Sequence, residues 1–210
     1  WMVHSFPTRR SSDLDEAAKR GYQVVNDRRE LLSAVASRSG KLLGLFADSY
    51  LPYSFERKGD ETPTLAEMAA AAVSLLDRGD KGFLLMVEAG KIDSTMHAHD
   101  AAEGVAQMKS MDEALRKMIE FAKTNPDALL VVVSDHSTGG LQVIETFDPQ
   151  RFNTLATSTI ALATELKGKG SAIPERLRAA FPGVEFSKEE LDRLVAAHEA
   201  NTFELQLGSL

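Results

Sequence analysis

At 210 residues, 43% of them hydrophobic, the chain can bury one substantial core and has the composition of an ordinary globular protein, so one domain is expected. A formal net charge of -7 with no basic stripe excludes a general nucleic-acid binder, whose hold on phosphate backbones depends on clustered Lys and Arg. The lack of cysteine excludes disulfides and thiolate metal sites, leaving Asp, Glu and His as ligand types, and no apolar run approaches the length of a membrane span.

Residues 1–14 lack the basic start and apolar stretch of a secretory signal. The run Ser5-Phe6-Pro7-Thr8-Arg9-Arg10-Ser11-Ser12-Asp13-Leu14 resembles a translated adapter, so 1–14 is expected to be a non-native leader, a disordered polar leader being the alternative. From Gly21 the pattern predicts a strand at Tyr22 to Val25, a helix from Asp27 to Ala36 with Asp27 as N-cap, and a strand at Leu42 to Phe46. After a polar loop from Tyr50 to Thr64, Thr64 and Glu67 have the capping-box spacing for an Ala-rich helix, Leu65 to Leu76. Strands are predicted at 82–87 and Leu129 to Val133, with one long amphipathic helix from Ala98 to Ala122 between them, and a short strand at Leu141 to Ile144. Beyond Phe147 helices are expected at Asn153 to Lys167, Ile173 to Ala180 and Lys188 to Ala200, forming a helical insertion at about 150–200 within a domain covering 15–210. Continuous apolar strands alternating with helices predict an α/β fold, a mostly parallel sheet flanked by helices on both faces.

In such sheets ligands bind at the carboxyl ends of strands. Two apolar runs end there in groups that bind divalent metals. The first is followed by Glu88, then Gly90, Asp93 and His97; the second ends in Ser134, Asp135 and His136, followed by Gly139 and Gly140. Asp93 and His97, four apart, share a face of any helix that starts near Asp93, although the same spacing describes a solvated helix start. Asp135 and His136 can serve one ion where the backbone turns at a strand end, a polar turn capping the strand being the alternative. His99 and Asp100 read as helix surface or as support behind the ligands, His198 as exposed, and His4 as part of the leader.

Residues 82–101, GFLLMVEAGKIDSTMHAHDA, and 129–141, LLVVVSDHSTGGL, resemble two signature regions of the alkaline phosphatase family, bacterial type, with the clear match from about Asp60 to Ile144. The segment from Thr62 to Met68 resembles the family's helix start before the metal strand. The resemblance implies that Asp93 and His97 bind one zinc ion, Asp135 and His136 a second, and Glu88 a magnesium ion. The implied reaction is phosphate monoester hydrolysis through a phosphoserine, in an exported, periplasmic or extracellular parent enzyme that is often a homodimer.

The family's Asp-Ser-Ala nucleophile segment is not found, and Asp48-Ser49-Tyr50 lacks the small residues that follow such a nucleophile. The third histidine of the first zinc is expected beyond Leu210. No catalytic residue is therefore assigned, and the chain is expected to be an inactive central-to-C-terminal part of the enzyme. The rival readings are a non-catalytic metal-binding remnant and another hydrolase of the same superfamily, such as a phosphodiesterase or sulfatase.

Overall fold

A computed structural model describes residues 11–38, 40–48, 50–57, 59, 61–78, 81–142, 150, 155, 157–167 and 169–199. The chain divides into two compact units, the first made of 1–52, 57–89 and 109–132 and the second of 53–56, 90–108 and 133–210.

In the first unit, helix α1 (Ser11–Lys19) leads into strand β1 (Tyr22–Val25), helix α2 (Arg28–Ala36) and strand β2 (Lys41–Gly44). The two strands pair in parallel, with Tyr22 opposite Lys41 and Val25 opposite Gly44. A parallel pair needs a crossover rather than a tight hairpin, and α2 supplies it. Its start is set locally: the Asp27 carboxylate accepts from the Glu30 N–H at 2.7 Å, and Glu30 accepts from the Asn26 N–H at 2.7 Å. Helix α3 (Leu65–Leu76) carries the predicted capping box, with the Thr64 hydroxyl accepting from the Glu67 N–H at 3.0 Å and the Glu67 carboxylate from the Thr64 N–H at 2.9 Å. The other Glu67 oxygen takes the Arg28 guanidinium at 2.6 Å, tying α2 to α3, and this hydrogen bond holds the Glu67 carboxyl below the usual carboxylate range. Val25, Leu31, Ala34, Leu42, Phe46, Met68, Ala71 and Leu75 bury against one another as the core of this unit.

The short helix α4 (Lys91–His97) and the 24-residue helix α5 (Ala101–Thr124) follow, so the long helix expected from Ala98 is present but starts three residues later. The break between α4 and α5 lies at His99, whose φ of 53° is left-handed, and α5 starts with the Asp100 carboxylate accepting from the Glu103 N–H at 2.9 Å. The segments at 82–87 and 129–133 differ from their prediction as well: neither pairs into a sheet among the described residues. Leu84 is 96% exposed and Leu129 87%, so these runs do not serve as core here, although Phe83 lies 6.0 Å from Phe121 of α5 between ring centroids. Hydrophobic composition alone gives a strand no ladder partner, and without one the backbone has no sheet to join. Of the short strand expected at 141–144, residues 143 and 144 lie outside the described residues.

The second unit is helical. Beyond α4 and the first two turns of α5 it contains α6 (Thr159–Leu166), a 3₁₀ turn (Gly170–Ala172), α7 (Ile173–Ala180) and α8 (Lys188–Glu199). Ser158 caps α6 by accepting from the Ala161 N–H at 2.9 Å, and Ser187 with Glu190 closes a capping box at the start of α8. Leu162, Leu166, Ile173, Leu177, Ala180 and Leu194 meet in a core whose leucines are at most 1% exposed. Arg176 of α7 grips Glu165 of α6 through two bonds of 2.7 and 2.9 Å. The chain as described is thus a partial α/β fold: a small parallel sheet with many helices.

Candidate metal centre

Four of the five predicted ligands lie in the second unit. Asp93 and His97 are on α4, one turn apart, with Oδ2 of Asp93 3.7 Å from Nε2 of His97. Asp135 and His136 lie on the exposed segment that enters the Gly139-Gly140 turn, with Oδ2 of Asp135 3.3 Å from Nε2 of His136. The His136 backbone N–H donates to Asp135 at 2.8 Å and is the main reason that this carboxyl sits below the usual carboxylate range. Asp135 is therefore an anion at neutral pH. Glu88, the fifth residue, belongs to the first unit and is exposed.

One side chain joins the two pairs. The Thr138 hydroxyl donates to Oδ1 of Asp93 at 2.7 Å and also lies 3.1 Å from Nδ1 of His136. A hydroxyl has a single proton, and here the Asp93 carboxylate takes it. The contact with His136 must then run the other way, with Nδ1–H donating to Thr138 and to the Ser137 carbonyl at 3.2 Å. That tautomer leaves Nε2 of His136 with its lone pair toward the Asp135 carboxylate. Two facing acceptors repel unless a proton or a metal cation stands between them, which is the chemistry of a metal-ligand pair.

The turn also docks on the end of α4. Gly139 has a φ of 71°, and a Cβ there would lie 2.0 Å from the Met96 carbonyl oxygen, so its backbone packs directly on the last turn of the helix. The Gly139 carbonyl accepts from Nε2–H of His99 at 2.7 Å. Behind α4, Asp100 is fully buried and receives the backbone N–H groups of Glu103 and Thr159, the latter at 2.6 Å. Buried Glu103 receives those of Ser54 and Phe55 at 2.6 and 3.1 Å. Lys91 at the start of α4 stacks on Tyr53, 3.8 Å from the ring centroid, and its burial pulls the ammonium below the usual lysine range while Glu56 and Glu103 oppose this.

Asp100 therefore stands in the interior and not on the helix surface. Its signal in the sequence is the Asp-x-x-Glu spacing to Glu103, a helix-start pattern masked by the apolar periodicity that continues through it. Thr138 lies within the second signature segment, and nothing in its immediate sequence marks the link it makes. His198 is half-buried, with its ring 3.4 Å from where a Cβ on Gly170 would stand. Asp48 is exposed, while Ser49 and His4 lie outside the described residues.

The donor set is the oxygen and nitrogen set that zinc accepts, offered as two pairs. Among the described residues no three His, Asp or Glu groups gather closely enough to hold an ion by themselves. In donor type the residues fit zinc; in number each pair stops short of the three protein ligands of a catalytic zinc site.

A sequence model of the family described as alkaline phosphatase matches residues 8–177. The chain is 36% identical over 130 residues to alkaline phosphatase 3 of Bacillus subtilis, covering 62% of this chain and 27% of that protein. It is 37% identical over 139 residues to the repressible alkaline phosphatase of Saccharomyces cerevisiae, covering 61% and 25%. With the alkaline phosphatase of Escherichia coli the identity is 33% over 145 residues, covering 59% and 31%. The crystal structure of a cold-active alkaline phosphatase from a psychrophilic Shewanella species superposes with a TM-score of 0.78 at 26% identity, over 95% of this chain and 50% of that one. The matched region thus amounts to between a quarter and a third of the length of these three curated relatives. The match of a single family model across 170 residues, 8 to 177, decides the assignment: the chain belongs to the alkaline phosphatase family.

Proposed function

We propose that this chain supplies the metal-ligand part of a phosphate monoester hydrolase. Asp93 with His97 would hold one zinc ion, Asp135 with His136 a second, and Glu88 a magnesium ion. The observation that carries this reading is the Thr138 hydroxyl, which links Asp93 to His136 and so makes neighbours of two pairs that lie about 40 residues apart in sequence.

When bound, two adjacent zinc ions would supply positive charge beside the attacking and departing oxygens of a phosphoryl group. The residues prepare for that charge. Asp93 and Asp135 are carboxylates of short reach, Asp135 being held ionised by the backbone, and the two imidazoles each turn Nε2 toward a carboxylate. Thr138 holds Asp93 and fixes the His136 tautomer, leaving Nε2 of that ring as the coordinating atom. A phosphate monoester is a dianion, so a site that gathers cations selects it by charge with little regard to the alcohol. The chain offers no serine in an Asp-Ser-Ala setting, and on that ground the 210 residues alone are proposed to bind phosphate without turning over an ester.

Phosphate binding tests this. Inorganic phosphate should be retained by the zinc-loaded chain in equilibrium dialysis, and lost both in the metal-free chain and in zinc-treated Asp135→Ala. Phosphate retention that ignores zinc would overturn the site. Hydrolysis of a chromogenic phosphate ester by the zinc-loaded chain above the Asp135→Ala level would overturn the proposed inactivity.

A further inference from the structure

We infer that His99 is a positioning residue that holds one ligand pair against the other. The inference rests on reading Asp93, His97, Asp135 and His136 as metal ligands. Asp135 and His136 lie on a surface segment: their side chains are 84% and 62% exposed, and Gly139 and Gly140 are exposed too. Apolar burial therefore does not fix where this pair sits. Among the described residues it is held by a short set of polar contacts with the end of α4, and His99 supplies one that grips the backbone.

The joint that carries His99 is well anchored. Its N–H donates to the Met96 carbonyl at 3.2 Å, its carbonyl accepts from Ala101 at 3.1 Å, and the next residue, Asp100, donates its N–H to Thr95 at 2.9 Å and is fully buried. The left-handed backbone at His99 turns the chain out of α4, and histidine is among the residues that visit this region most readily. From this support the ring reaches the Gly139 carbonyl at 2.7 Å. A carbonyl only accepts, so the ring carries its proton on Nε2. Gly139 rests on two surfaces at once, since a Cβ there would meet the Met96 carbonyl oxygen at 2.0 Å and Cδ2 of His99 at 3.2 Å. One residue earlier, Thr138 reaches Asp93 and His136. The His99 bond thus sets the height of the turn on the helix, and through it the separation of the two pairs.

Three substitutions separate this role from a role in backbone conformation alone. His99→Ala loses both the donor and the left-handed preference, His99→Asn keeps the preference but its amide is too short to reach, and His99→Gln places an N–H near the position of Nε2. Zinc affinity of the full chain should fall about 10- to 100-fold in His99→Ala and in His99→Asn, the range typical of groups that orient metal ligands, and recover in His99→Gln. The visible spectrum of the cobalt-substituted chain should change with the affinity, and amide exchange at 137–141 should quicken in the two weakened variants. Unaltered zinc affinity and cobalt spectrum in His99→Ala would overturn the inference while leaving the ligand reading intact. Failure of the unsubstituted chain to bind zinc would overturn the ligand reading, and the positioning role with it.

Discussion

Gly139 and Gly140 form a natural pair for measuring how firmly the turn is docked. Both have left-handed backbones, with φ of 71° and 68°, so alanine at either position meets the same conformational penalty of about 1–2 kcal/mol. Their surroundings differ. A Cβ on Gly140 meets nothing within 4 Å, whereas on Gly139 it would stand 2.0 Å from the Met96 oxygen and 2.8 Å from the Met96 carbonyl carbon. Ordinary contact begins near 3.4 Å, and helix backbone cannot swing aside, so the turn must retreat by more than an ångström. That motion breaks the 2.7 Å bonds from Thr138 to Asp93 and from His99 to Gly139. A hydrogen bond to a charged acceptor contributes about 1.5–3 kcal/mol and a neutral one about 1 kcal/mol. Gly139→Ala should therefore weaken docking by about 3–6 kcal/mol, against about 1–2 kcal/mol for Gly140→Ala. Because the segment is exposed, the loss should appear as local opening rather than global unfolding, with fast amide exchange at 137–141 and much weaker zinc binding for Gly139→Ala only. Equal exchange and equal zinc affinity in the two variants would refute the docking geometry.

Other consequences concern the scaffold. Asp100→Ala strips acceptors from the buried N–H groups of Glu103 and Thr159 and should cost about 2–4 kcal/mol in urea unfolding, while Asp112→Ala, which removes an exposed pair with Arg116, should leave the urea midpoint nearly unchanged. Glu67 has a folded-state pKa below its ordinary value of 4.5 because of Arg28, so its contribution is present above that value and is lost as pH falls through the lower folded-state value. The stability difference between the unsubstituted chain and Glu67→Gln should accordingly be largest near neutral pH and shrink below pH 4.5; a difference that grows on acidification would reverse the sign of the linkage.

The parts legible in the sequence are those determined by neighbours in the chain. Asp27 as an N-cap, and Thr64 with Glu67 as a capping box, announce their helices because such caps close within four residues, and β1, α2 and β2 follow from short apolar runs bounded by such signals. The break at His99 was concealed because Ala98, Ala101 and Ala102 continue a helical apolar pattern across it, and helical periodicity does not register a single left-handed residue. The runs at 82–87 and 129–133 have strand composition, yet pairing depends on residues remote in sequence. The same division holds at the candidate site. Asp93 with His97 and Asp135 with His136 stand out locally as ligand-type pairs, but the bonds that join them, Thr138 to Asp93 and His99 to Gly139, span 45 and 40 positions in the chain and emerge only in the fold.

The most direct measurement is a zinc titration of the purified chain by calorimetry, repeated on Asp93→Ala, Asp135→Ala and His198→Ala. Saturable binding that weakens at least tenfold in both aspartate variants, and is unchanged in His198→Ala, is the result predicted by a centre built on the two pairs. Equal affinity in all four proteins would show that zinc binds elsewhere and would contradict the assignment of the site.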